Sequence, residues 1–235
     1  MHQALRMLCL ALLVLSLSFA GGCKKEDQAQ RKAFIEFLEK EAMAAPGVDS
    51  VRMSDEVRKK VGKYGSHFDL ITAYAKELSD VNTRLAGEKA RIAAPGAILM
   101  DRLGSEGARI EQLVAALSRS AQHVDALKAK ADAAKAALKQ SEDVQAAFDK
   151  VYARDISGYA AASQELYAVQ KDFYAEASRM GAFIERHKDK IQFKNKTVVI
   201  DEQALLQEYN ALQKSLWEKA QKMQAASASG GPMAR

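Results

Sequence analysis

Residues Ile110–Leu138 read IEQLVAALSRSAQHVDALKAKADAAKAAL. Ile110, Leu117, Val124, Ala131 and Leu138 stand seven apart, and Leu113, Ser120, Leu127 and Ala134 form a second row between them. Apolar residues at this spacing line one side of an α-helix, and small residues among them let a second helix come close. The pattern predicts a long helix whose seam is covered by other helices of the same chain. Coiled-coil pairing between two copies is the lesser alternative, because further helices are available to cover this face. The pattern leaves the oligomeric state open.

On the C-terminal side, Ser141 precedes Glu142 and Asp143, acids placed to favour the first turn of a short helix containing Val144, Phe148, Val151 and Tyr152. A long helix is expected near Ser157 to His187, with Tyr159, Leu166, Phe173 and Met180 at heptad spacing. The period then changes. Ile191-Gln192-Phe193 and Thr197-Val198-Val199-Ile200 flank Lys194-Asn195-Lys196, which predicts a small β-hairpin. Such a hairpin is marginal alone and must lie against helices. Asn195-Lys196-Thr197 matches a glycosylation sequon and is read here as a turn. Asp201 is placed to cap a last helix carrying Leu205, Leu206, Tyr209, Leu212, Leu216 and Met223.

On the N-terminal side, Phe68, Ile71, Leu78, Val81 and Leu85 recur at helical spacing before Pro95-Gly96. Ser54 offers a cap ahead of Asp55 and Glu56, with Gly62 and Gly65 interrupting or bending the region. A first helix is expected near Gln28 to Ala44, with Phe34, Ile35, Phe37 and Leu38 apolar and Pro46-Gly47 closing it. The fold class that follows is all-α: a multi-helix antiparallel bundle with long heptad-patterned helices and one small β-hairpin before the last helix. Three prolines and abundant alanine agree with it.

The extreme N-terminus is of another kind. Arg6 is followed by Met7–Ala20, fourteen residues without charge, and then by Gly21, Gly22 and Cys23. Fourteen apolar residues suit a signal-peptide core and fall short of the roughly 20 that span a bilayer. Lys24, Lys25, Glu26 and Asp27 end the run abruptly, which argues against a transmembrane anchor. Small residues before a cysteine resemble the bacterial lipobox, with Ala20 where leucine is commoner. The resemblance implies cleavage before Cys23 and lipidation of its thiol. The alternative is an ordinary secretory signal cut near Ala20 or Gly22, with Cys23 a bystander.

The expected organisation is therefore a signal peptide over 1–22, a lipidated polar tether over 23–30, one helical domain over 31–226 and a disordered tail over 227–235. Cys9 would leave with the signal and Cys23 would be blocked, so the mature chain would carry no free thiol and no disulfide. About 200 residues are enough to bury a core without one. In Gram-negative lipoproteins an aspartate after the lipidated cysteine commonly marks retention at the inner membrane. Lys24 stands there instead, which by that resemblance implies an outer-membrane location facing the periplasm.

No catalytic or metal-binding constellation stands out. His2, His67, His123 and His187 lie far apart, and none has a metal-ligand spacing to a second ligand. There is no phosphate-cradling glycine loop, no G-x-S-x-G elbow and no H-E-x-x-H. The chain is expected not to be an enzyme, with no catalytic residue, metal or cofactor. Two basic clusters remain, Arg58, Lys59, Lys60 and Lys63, and Lys188, Lys190, Lys194 and Lys196. They are read as a solvated surface or as contacts to anionic headgroups or an acidic partner. A net charge of +5 without a stacking-aromatic platform does not point to nucleic acid.

Arg31–Leu38 (RKAFIEFL), Ala131–Tyr152 (ADAAKAALKQSEDVQAAFDKVY) and Tyr209–Gln213 (YNALQ) resemble the YiaF-type family of Gram-negative lipoproteins, a domain of unknown function. The resemblance implies an envelope location and a helical fold and carries no catalytic residue with it. The expected function is a membrane-anchored periplasmic lipoprotein, held in the membrane by its lipid, that binds or scaffolds another envelope protein. The alternative is an envelope hydrolase or ligand-binding protein whose site is assembled from scattered residues.

Overall fold

The computed structural model describes residues 25–92, 100–194 and 197–228. The signal segment, Cys23, Pro95-Gly96, Lys196 and the tail from 229 lie outside the described residues.

Helix α1 covers residues 25–37 and widens into a π-helical turn, Leu38–Ala42, before the chain turns at Pro46 and Gly47. Helix α2 (Asp55–Val61) starts where expected, because the Ser54 side chain accepts the Val57 N–H at 3.2 Å. Gly62 ends it at φ 54°, in the left-handed region that favours glycine. A 3-10 turn, Gly62–Tyr64, leads into α3 (Gly65–Ile92). Gly65 is itself helical and starts α3.

A 3-10 turn, Met100–Ser105, precedes α4 (Gly107–Ala136). Helix α5 (Glu142–Tyr152) runs through a π-helical segment, Ala153–Gly158, into α6 (Tyr159–Arg186). Strands β1 (Ile191–Lys194) and β2 (Thr197–Ile200) pair antiparallel, Ile191 opposite Ile200 and Lys194 opposite Thr197. Helix α7 (Gln203–Ala228) completes the described chain. The fold is all-α, with one hairpin among the described residues.

The chain divides into two compact units. Unit 1 runs to Ala75 and resumes over Ala133–Asp155. Its core holds Phe34, Phe37, Leu38, Phe68, Ile71, Val144, Phe148, Val151 and Tyr152, all at most 3% exposed. Phe37 meets Phe68 edge-on with centroids 4.9 Å apart, and Phe34 stacks on Tyr64 at 5.8 Å. Such pairs add about 0.5–1.5 kcal/mol each beyond the area they bury.

Unit 2 takes Lys76–Asp132 and continues from Ile156. Cross-helix bonds give the helix directions. Glu77 pairs with Lys130 and Glu88 with Arg119, so α3 and α4 run antiparallel. Phe183 lies against Tyr209 and Asp172 pairs with Lys219, so α6 and α7 also run antiparallel. The hairpin's buried Ile191 and Ile200 join Leu103, Ile110, Met180, Phe183, Leu205 and Tyr209 in one core. Gly181 lets the 3-10 turn come close to α6, since a Cβ there would stand 2.5 Å from the Leu103 carbonyl oxygen.

The seam of α4 is buried at Ile110, Leu113, Leu117, Ser120, Val124 and Ala131. It fades at Ala134, which is exposed, and the helix ends before Leu138. Four expectations are corrected. Residues 25–27, expected in a polar tether, are helical, because Asp27 has partners in unit 1 and draws the first turn into the fold. In α6 Met180 is buried as the heptad row expects, with Phe183 and Ile184, but Tyr159, Leu166 and Phe173 are only half-buried and Ala160, Ser163, Tyr167 and Ala177 are buried instead. The heptad count passed over the small Ala160, Ser163 and Ala177, which carry little hydropathy of their own. Glu202, not Asp201, occupies the cap of α7, its carbonyl accepting the Leu206 N–H at 3.0 Å. Ser227 and Ala228, expected in the tail, continue α7, and the Ser227 hydroxyl donates to the Met223 carbonyl at 2.9 Å.

Candidate functional site

Two polar clusters organise unit 1. The first lies where the start of α1 meets the Gly62–Tyr64 turn. Asp27 Oδ1 accepts from Lys63 Nζ at 2.5 Å and from the Tyr64 hydroxyl at 3.2 Å. The Lys63 bond holds the Asp27 carboxyl below its usual range. Gly62 is packed under the Gln30 carboxamide, so a side chain at 62 would collide with it as well as strain the backbone. Tyr64, with its positive-φ neighbour, thus seats the turn on α1.

His67 continues this cluster inward. Its ring meets Phe34 and Tyr64 edge-on, and Nδ1 lies 3.0 Å from Gln140 Nε2. With the amide donating, the neutral ring carries its proton on Nε2. Burial, and then the charge of Lys63, hold His67 below its ordinary value of 6.5.

The second cluster centres on Arg154 in the π-helical segment. Its guanidinium donates to the carbonyls of Ala42, Met43 and Ala45, and grips Asp155 with two bonds of 2.7 Å. These bonds engage all five of its N–H donors, so the group ties the end of the first helix and satisfies carbonyls a helix end leaves open. Asp155 is 1% exposed, and the pair is a structural fastening, with no donor left to hold a ligand. Sequence reasoning missed it, because Arg154-Asp155 reads as surface charge until Ala42–Ala45 comes beside it from over a hundred residues away.

The basic residues singled out from sequence are distributed between the units. Arg58, Lys59, Lys60 and Lys63 belong to unit 1, and Lys188, Lys190 and Lys194 to unit 2. Arg58 is bidentate on Asp69, at 2.7 and 3.0 Å. Lys188 pairs with Glu185 at 2.9 Å and Lys190 with Glu202 at 2.8 Å. Lys59, Lys60 and Lys194 are exposed and make no salt bridge among the described residues. Each set therefore has two cations held by acids, Arg58 and Lys63 in unit 1 and Lys188 and Lys190 in unit 2. The His187 ring lies tilted against Phe183 at the end of α6, centroids 5.0 Å apart.

Among the described residues no group of three or more His, Cys, Asp or Glu side chains is arranged to hold a metal ion. No described helix is long and apolar enough to cross a membrane. In unit 2, Tyr167 and Asn82 are joined by a short side-chain bond, and Gln164 donates to Asp125 Oδ1 at 2.7 Å and to the Ala121 carbonyl at 2.8 Å.

These features define an all-α protein fastened by side-chain bonds such as Arg154–Asp155 in unit 1 and Tyr167–Asn82 in unit 2. Residues 8–230 match the family described as "Protein of unknown function (DUF3053)", and the chain belongs to that family. It is similar to the "Uncharacterized protein YiaF" of Escherichia coli (strain K12) and to that of Shigella flexneri. Each is 26% identical over 202 residues, which is 86% of this chain and 83% of the relative. The YiaF-like membership expected from Arg31–Leu38, Ala131–Tyr152 and Tyr209–Gln213 is thereby shown. No solved structure matches.

Proposed function

We propose that this protein is a lipid-anchored module of the bacterial cell envelope that binds or scaffolds another envelope component and does no catalysis. Residues 1–22 are the signal peptide, Cys23 carries the lipid, and the helical part faces the periplasm from the outer membrane. The observation that carries this reading is the charge-free Met7–Ala20 run ending in Ala20-Gly21-Gly22-Cys23. Two features support it. Charges follow Cys23 at once, so the apolar run has signal-peptide and not membrane-spanning length. The helical part also uses Arg154, half-buried on the buried Asp155, as a fastening, which suits a scaffold.

Metabolic labelling with palmitate tests the anchor. The wild type should incorporate label and fractionate with the outer membrane, and Cys23→Ser should do neither. Unlabelled wild type, cut and free in the periplasm, would establish the ordinary secretory signal instead. Crosslinking in living cells followed by recovery of the anchored protein should then capture an envelope partner.

A further inference from the structure

The start of α1 fixes how far the fold can stand from its anchor. Residue 25 is already helical, and Asp27 in the first turn is bonded to Lys63 and Tyr64. From Cys23 to residue 25 the chain reaches at most about 7 Å, and two helical steps add about 3 Å. The backbone of Asp27 therefore lies within roughly 10 Å of the lipid-bearing residue, close to one Debye length at physiological salt. Among the described residues this end holds Lys25, Arg31 and Lys63 with Glu26, Asp27 and Asp143, where Asp143 pairs with Arg31 at 3.2 Å and Asp27 with Lys63, and Lys25 makes no salt bridge. Lys25 and Lys63 are exposed. The turn cannot swing away freely, since Gln30 packs over Gly62 and Tyr64 stacks on Phe34.

We propose that this end of unit 1, the first turn of α1 with the Gly62–Tyr64 turn, seats directly on an anionic phospholipid surface. Lys25 and Lys63 take the headgroup phosphates. The proposal rests on lipidation of Cys23. A headgroup phosphate competes with Asp27 for the Lys63 ammonium, so the contact exchanges one ion pair for another and releases little new charge. Juxtamembrane lysines each strengthen such a contact about fivefold. The anchor and the lysines then act as two signals, with the first holding the second at high local concentration.

The test uses the full lipidated protein in vesicles of phosphatidylcholine with a minority of phosphatidylglycerol. With Cys23 acylated, a single introduced cysteine is the one reactive thiol of the mature chain. A donor fluorophore is placed at Ser66→Cys, beside the turn, or at Ala44→Cys, about 20 Å or more along the first helix. Both positions are exposed. Transfer to an acceptor on the lipid headgroups should be higher from 66 than from 44. The difference should shrink in pure phosphatidylcholine, in high salt and in the Lys25→Glu/Lys63→Glu variant. Circular dichroism confirms that this variant is folded, and Lys25→Glu alone, which leaves the Asp27 bond intact, should lose part of the difference. Equal transfer from both positions, or no dependence on anionic lipid, overturns the proposal while the anchor stands. Failure of wild type to take up palmitate overturns the anchor, and this proposal with it.

Discussion

In unit 1 the chain is closed by rings and ions brought from distant parts of the sequence. Phe34 meets Tyr64, Phe37 meets Phe68, and Arg154 reaches carbonyls 109 to 112 residues earlier. In unit 2 large and small residues together close the helix faces. Gly181 admits the Leu103 carbonyl, Ala160, Ser163 and Ala177 share the buried side of α6 with Met180, Phe183 and Ile184, and hydrogen bonds such as Tyr167–Asn82 join helices already in place. The first kind of closure depends on a few residues that no neighbour can replace. The second is spread along helix faces, and it thins out. Only Leu205 and Tyr209 of α7 are fully buried, while Trp217, further along, is 64% exposed.

The largest effect should come from Arg154→Ala. It leaves Asp155 buried without its partner and strips three carbonyls, so a loss of about 3–5 kcal/mol is expected in denaturant unfolding. Arg154→Lys should recover only part, because an ammonium cannot reproduce the fork. A loss below about 1 kcal/mol would mean that unit 1 does not depend on this fastening. Next, Gly181→Ala in unit 2 places a methyl against backbone at Leu103 and should cost about 1–3 kcal/mol. If Gly181→Ala is neutral, the close approach of turn and helix is not needed, and unit 2 is more forgiving still.

A smaller, pH-dependent effect belongs to unit 1. His67 is held below 6.5 in the fold by burial and Lys63, so the unfolded chain binds the extra proton more readily. Stability is full above 6.5, falls as pH drops through that value, and levels off below the folded value. Unfolding midpoints compared between about pH 7 and pH 5 should drop further for wild type than for His67→Gln. Equal slopes would remove His67 from the account. The smallest effect is expected at the thin end of unit 2, where Trp217→Ala should stay within about 0.5 kcal/mol. Trp217 is the one tryptophan of the chain, so its emission should be that of a solvated indole, open to quenching by acrylamide.

Local pattern made much of the fold legible. The α4 seam, the α3 row, the Ser54 cap and both strands follow from residues near one another in sequence, where periodicity and capping act. The buried row of α6 was not legible in the same way. Its Ala160, Ser163 and Ala177 carry little hydropathy, and their burial is decided by which helix lies opposite. Of the candidate site residues, Lys63 was found by its charge, but its partner Asp27 was hidden in a stretch that reads as polar tether. His67 looked isolated because Gln140, Phe34 and Tyr64 come to it only through folding. Charge and spacing show a surface, and they do not show which charges neutralise each other across it.

The hairpin is fastened at its base. Ile191 and Ile200, the outermost pair of the ladder, are buried, while Lys194 and Thr197 at the other end are exposed. Three ladder steps, about 10 Å, separate the buried pair from the exposed one. Lys194 and Thr197, the exposed ends of the two strands, are thus natural grafting points. A peptide spliced there would be displayed beyond the fold, while the two isoleucines go on holding the loop's roots.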